Sequence, residues 1–149
     1  MIKNYTSGVP VDRTVSKIEA ALVSGGATNI MKDYSPSGEL VAICFAVVNP
    51  ENGKRIAVRL PADVKAVYEI FKDGVKRPRS GTMEKLEDQA RRTAWKLIQD
   101  WVEIQISMIR LRQAEFLQVF LPYVWDGKTT FYNRLKGQGF KLLTSGDET

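Results

Sequence analysis

The chain reads as an α+β fold: a three-stranded, mostly antiparallel sheet packed against one long helix, with several short helices around it. Three observations predict it. Residues 40–48 are an unbroken apolar run between two turn signals, Ser35-Pro36-Ser37-Gly38 and Asn49-Pro50-Glu51-Asn52-Gly53. Strand-like segments lie on either side of those turns. Residues 82–112 then repeat apolar side chains at alternating spacings of four and three, as a helix of about 30 residues and roughly 45 Å requires.

The elements follow in order. Residues 1–11 lack periodicity and contain Gly8 and Pro10, so they read as an arm. Asp12 is placed to cap a short helix, and Val15, Ile18 and Leu22 form its apolar stripe. Gly25-Gly26 ends it. A first strand is expected over 27–34 and a second over 40–48. In the second, Val41, Ile43, Phe45 and Val47 make a bulky side, and Ala42, Cys44 and Ala46 a small one. A strand apolar on both sides is central and covered on each face. The third, 55–60, alternates, with Ile56, Val58 and Leu60 inward and Arg55 and Arg59 outward.

Pro61 stops that strand, and a helix over 62–72 presents Val64, Val67, Tyr68 and Phe71 on one face. After the basic loop 75–81, Thr82 is placed to cap the long helix, with Glu84 suiting its positive end. That helix carries two stripes: Ala90, Ala94, Leu97, Trp101, Ile104, Met108 and Leu111, and Trp95, Ile98, Val102, Ile106 and Ile109. One is expected to face the sheet. The other needs the C-terminal helices or a second subunit. Short helices over 114–121 and 129–136 follow, separated by a turn at 123–127, and 144–149 is a polar tail. One domain over 12–143 is therefore expected.

Composition excludes several chemistries. The sequence has no histidine and one cysteine, Cys44, which removes Ser-His-Asp and Cys-His catalysis and a structural zinc site. A non-enzymatic chain with no cofactor and no bound metal is expected. No apolar run reaches the ~18 residues a membrane span needs. The lone cysteine and the absence of a secretion-signal pattern point to the cytoplasm.

The net charge of +5 is concentrated. Residues 72–96 hold 8 basic and 4 acidic groups, hence +4 of it. Lys72, Lys76, Arg77 and Arg79 precede the start of the long helix at Thr82, and Arg91, Arg92 and Lys96 follow along it. Free amides at a helix start flanked by Arg and Lys attract anions, so these eight residues are the candidate site for DNA or RNA phosphates. The opposing reading is a solvated loop balanced by Glu84, Glu87 and Asp88.

Tyr123 and Trp125 flank a turn and are candidate anchors for a protein partner. The second helix stripe is a candidate homo-oligomer interface. Trp95 and Trp101 lie six apart and are expected in the core. Glu84, Glu87 and Asp88 share one helical face, where ion pairs with Arg91 are expected. Two-metal hydrolysis needs carboxylates converging from several elements. The order helix, three strands, helix invites comparison with double-stranded-RNA-binding domains. The turn at 35–38 has no histidine, however, and the helix after the third strand begins Pro61-Ala62-Asp63 without a lysine cluster.

The blocks Ser7-Gly8-Val9-Pro10-Val11, Arg59-Leu60-Pro61-Ala62, Gln89-Ala90-Arg91-Arg92-Thr93-Ala94-Trp95, Asp100-Trp101-Val102-Glu103 and Val119-Phe120-Leu121-Pro122-Tyr123 belong together. As a set they resemble small uncharacterised proteins of bacteriophages, prophages and other mobile elements. The resemblance spans about residues 7–125 and implies a bacterial cytoplasmic setting and a non-housekeeping role. It implies that a protein partner held at Tyr123 and Trp125 would be a host or phage protein, and it implies no activity and no catalytic residue.

Overall fold

The computed structural model describes residues 2–77 and 79–144. Met1 of the arm, Pro78 of the basic loop and 145–149 of the polar tail lie outside the described residues. The architecture is α+β, with a three-stranded antiparallel sheet, one long helix and four shorter helices among the described residues. The elements are α1 (Val11–Ser24), β1 (Asn29–Tyr34), β2 (Leu40–Val48), β3 (Arg55–Pro61), α2 (Val64–Asp73), α3 (Thr82–Arg110), α4 (Phe116–Phe120) and α5 (Phe131–Gly137). The chain divides into two compact units, each made of two stretches. One joins the residues up to Gly25 to Pro61–Arg110, and the other joins Gly26–Leu60 to the residues from Leu111 on.

In the first unit, α1 and α2 pack on α3. Val15, Ile18 and Leu22 are buried, as their spacing requires. The helix starts two residues earlier than a cap at Asp12 would set it: Pro10 precedes it, with no side-chain cap, and Asp12 lies inside the first turn. Proline already has a helix-compatible φ and lacks an amide to satisfy, so it suits that start. At the other end, α1 comes so close to α3 that a Cβ on Gly25 would lie 2.6 Å from Ile106 Cδ1. Gly25 has an ordinary φ of −90°, so close approach and not backbone conformation calls for glycine there. Asp63 caps α2, accepting the Ala66 amide at 3.0 Å. The Tyr68 hydroxyl reaches the Met83 sulfur at 3.4 Å, setting α2 beside the start of α3.

The two stripes of α3 fare differently. Trp95, Val102 and Ile106 of the second are buried, and α1 supplies the neighbour at Ile106. This cover is a short helix of the same unit, where the sequence suggested C-terminal helices or another subunit. The first stripe is buried at Ala90 and Ala94 and opens at Ile104, which is 56% exposed. Trp95 is fully buried, and its indole N–H has no hydrogen-bond partner among the described residues. The helix ends at Arg110, two residues short of the expected end, and Arg112 takes a left-handed φ of 61°.

In the second unit the strand order is β1-β2-β3, which puts β2 in the centre. Its residues Ala42 to Phe45 are all buried, so both faces are covered. β1 pairs antiparallel to it, with Met31 opposite Cys44 and Lys32 opposite Ile43. Phe45, on the bulky face, meets Phe120 edge-on at 5.4 Å and Phe116 at 6.1 Å between ring centres. The aromatic pair of α4 thus covers that face. On the small-residue face, Arg59 of β3 reaches Asp33 of β1 at 2.7 Å and the Cys44 sulfur at 3.6 Å. The outer edge of β3 is closed by residues after α4. Trp125 donates its amide to the Ala57 carbonyl at 2.9 Å, and Val124 bridges Val58. An uncovered edge would present unpaired backbone groups to other chains.

Gly25→Ala is expected to lower stability by about 1–3 kcal/mol, the usual range for overpacking. Ile106→Val removes the clashing methyl, so the double variant should lose less than the sum of the single losses. Urea melts of the four proteins measure this. Strict additivity would show that the two residues do not touch.

Candidate nucleic-acid interface

The basic loop leaves α2 at Asp73 and closes onto α3 by a reciprocal pair of bonds. The Arg79 amide donates to the Thr82 hydroxyl at 2.9 Å, and the Thr82 amide donates to the Arg79 carbonyl at 3.0 Å. Gly81 adopts φ +80°, a region glycine enters without a Cβ clash, and its carbonyl accepts the first helical bond from Lys85 at 3.1 Å. Thr82 is therefore the first helical residue and not the cap. Its hydroxyl pins the loop, and Gly81 stands in the capping place. The amides of Met83 and Glu84 lie in the first turn, ahead of that bond, at the positive end of a 29-residue helix.

The eight candidate cations and capping groups separate into two sets. Lys72, Lys76, Arg77 and Arg79 are exposed, and among the described residues their side chains have no hydrogen bond or ion pair. Lys85, one turn into α3, is likewise exposed. Arg91 is instead held between two acids, at 3.1 Å from Glu87 and 3.0 Å from Asp88. The Glu87 pair is the i,i+4 one its spacing predicts, the Asp88 pair is additional, and the expected pair with Glu84 does not form. Asp73 and Glu84 are the acids of this stretch left without a partner among the described residues.

Arg92 and Lys96 are engaged as well. Arg92 donates from Nε to the Ser7 carbonyl at 3.1 Å and from Nη2 to Gln89 Oε1 at 2.6 Å. Lys96 lies 3.2 Å from Gln99 Oε1 and 3.7 Å from Asp100. Gln99 is buried and bonds Glu103 in turn.

The arm accounts for much of this. Lys3 Nζ and Asn4 Nδ2 both reach Asp100 Oδ2, at 2.7 and 2.8 Å. Thr93 donates to the Asn4 carbonyl at 2.8 Å, and Gln89 to the Ser7 carbonyl at 3.0 Å. Sequence reasoning missed Gln89, Thr93 and Asp100 as the arm's seat. Their signal is the polar series 89, 92, 93, 96, 100, which runs at helical spacing between two apolar stripes. Burial pushes the Asp100 carboxyl up, but the bonds from Lys3 and Asn4 and the charges of Lys96 and Lys3 outweigh it and hold it below the ordinary value.

The aromatic turn has structural duties in the second unit. The Arg59 guanidinium lies 5.6 Å from the Trp125 ring centre, and the Trp125 backbone closes the sheet edge. Tyr123 is half-buried in a short 3-10 turn, Leu121–Tyr123. Asp126 then folds the chain back, accepting the amides of Thr129 at 2.8 Å and Lys128 at 2.9 Å and the guanidinium of Arg134 at 2.5 Å. The two backbone bonds, with Arg134, hold its carboxyl at about 2.

Among the described residues, no three Cys, Asp or Glu side chains gather as a metal-holding group, and no helix is long and apolar enough to cross a membrane. No protein-family model, curated protein or solved structure matches the chain.

Both depressed carboxyls are negative in the fold at pH values where an unfolded aspartate takes a proton. Their stabilisation is therefore full above the ordinary aspartate range and lost as pH falls through the folded values. A carboxyl NMR titration should show Asp126 with a midpoint of about 2 and Asp100 below the ordinary 3.8. An Asp100 midpoint at or above that value would mean the arm does not hold it.

Proposed function

We propose that the chain binds the phosphate backbone of nucleic acid through residues 72–82, as an accessory protein of a phage or other mobile element. The observation that carries this is the division of charge around the start of α3. Four cations, Lys72 at the end of α2 and Lys76, Arg77 and Arg79 in the loop, stand exposed and unpaired among the described residues beside a helix start, while Arg91 takes up Glu87 and Asp88. Phosphate contacts are made of such unpaired Lys and Arg groups together with helix-start amides. The mobile-element setting rests on the sequence resemblance alone, and DNA and RNA are both within this chemistry.

Four phosphate contacts at ~0.9 released counterions each give a salt slope of roughly −3 to −4 on a DNA duplex. Arg77→Glu with Arg79→Glu removes two contacts and adds two repulsions. Affinity should fall at least tenfold, and the slope should flatten by about 2. A salt-titrated fluorescence anisotropy assay with duplex DNA and RNA measures both quantities. Unchanged affinity in the double variant would sink the proposal, as would no wild-type binding at low salt.

A second reading, a protein partner or a second copy on the open end of the first stripe, is favoured by one observation. Ile104, in the middle of an otherwise apolar row, is more than half exposed. Light scattering across concentration, with Ile104→Glu alongside wild type, tests the homo-oligomer form. A wild type that stays monomeric at every concentration counts against it.

A further inference from the structure

We infer that the N-terminal arm is an intramolecular ligand of α3, seated on a stripe of hydrogen-bond donors that nucleic-acid phosphates occupy when the arm is released. The inference rests on the nucleic-acid reading above and adds to it a second contact surface and its regulation.

The stripe is built by helical spacing. Gln89, Arg92, Thr93 and Lys96 fall at i, i+3, i+4 and i+7, so their side chains project from one side of α3. Three of them donate to backbone oxygens of the arm: Gln89 Nε2 and Arg92 Nε to Ser7 at 3.0 and 3.1 Å, and Thr93 Oγ1 to Asn4 at 2.8 Å. Gln89 also accepts from Arg92 Nη2 at 2.6 Å, which fixes the guanidinium in place. A guanidinium, an amide N–H and a hydroxyl aimed together at carbonyl oxygens form the same donor set that proteins turn toward phosphate oxygens. The arm presents neutral acceptors. A phosphate presents charged ones, and bonds from the neutral donors Gln89 and Thr93 to a charged acceptor are roughly twice as strong as those to a neutral carbonyl.

The arm is held by polar contacts more than by burial. Lys3, Tyr5 and Thr6 are exposed, Ile2 and Val9 are half-buried, and Asn4 sits at φ 64°, which asparagine tolerates. Its anchor is Asp100, bonded to both Lys3 and Asn4. A carboxylate repels phosphate, so Asp100 keeps the arm in register and directs an incoming strand to the Gln89 end. From Thr82 to Arg92 is roughly 15 Å at ~1.5 Å per residue. A few consecutive phosphates, at ~3.4 Å of axis per step, span that distance from the loop cations.

The test uses Lys3→Ala with Asn4→Ala, which removes both bonds to Asp100 and leaves α3 intact. Amide hydrogen exchange over residues 2–9 reports release, and if the arm stays protected, a chain beginning at Val9 replaces the variant. The released chain should bind duplex DNA roughly tenfold more tightly, with a salt slope steeper by about 1. Arg92→Ala should cancel that gain in the released chain. A released arm with unchanged affinity and slope overturns the inference. So does a shortened chain that takes back a synthetic peptide of residues 1–9 but gains nothing toward duplex, since the stripe is then a peptide groove.

The loop variant separates the two claims. If Arg77→Glu with Arg79→Glu abolishes wild-type binding while release adds nothing, the loop reading stands and this inference fails. If the loop variant binds like wild type while release gives an Arg92-dependent gain, the stripe stands and the loop reading fails. No binding by any variant overturns both.

Discussion

The packing of α1 and α2 on α3 fixes the rotation of the long helix about its axis, and with it the fate of every charge that helix carries. α1 contributes Val15, Ile18 and Leu22, and at its end Gly25 meets Ile106 with no room for a methyl group. α2 holds the other end through Tyr68 and Met83. With those two points set, Trp95, Val102 and Ile106 go inward. Gln89, Arg92, Thr93 and Asp100 then fall beside the arm, and Arg91, paired within the helix to Glu87 and Asp88, falls away from it. One residue of slip is a rotation of about 100° and would exchange these roles.

The second unit shows the same economy by different means. β2 is buried on both faces, so each face needs its own cover. Phe116 and Phe120 supply it over Phe45, and on the small-residue face Arg59 spans from Asp33 past Cys44 to the Trp125 ring. Burial opposes the Arg59 charge, and the bonds to Asp33 and Cys44 more than offset it, so its pKa lies above the ordinary arginine value. Removing Asp33 would leave that charge without its closest partner. The Asp126 turn then brings the backbone of Val124 and Trp125 against β3.

Much of the fold was legible because its signals are local. The run 40–48 sets β2 residue for residue, and the turns at 35–38 and 49–53 set its neighbours. The stripe of α1 and the Glu87–Arg91 pair likewise follow from spacing within one helix. What escaped is long-range. Nothing within ten residues of Asp100 indicates that Lys3 and Asn4 will bind it, and a polar stripe on a helix reads as solvated until its partner is known. The caps were misplaced by one or two residues because Thr82 and Asp12 have capping chemistry, while Gly81 and Pro10 have the required backbone geometry. The candidate site was found in outline as a local charge excess. Its division into free and engaged cations depends on tertiary partners that charge counting does not see.

Arginine side-chain NMR reads that division of free and engaged cations directly. At neutral pH the Nε–H groups of Arg91 and Arg92 should exchange slowly with water, and those of Arg77 and Arg79 rapidly. On addition of duplex DNA at low salt, Arg77 and Arg79 should shift first and Arg91 should stay in place. Arg91 and Arg92 exchanging as fast as Arg77, or Arg91 shifting ahead of the loop, would contradict the account.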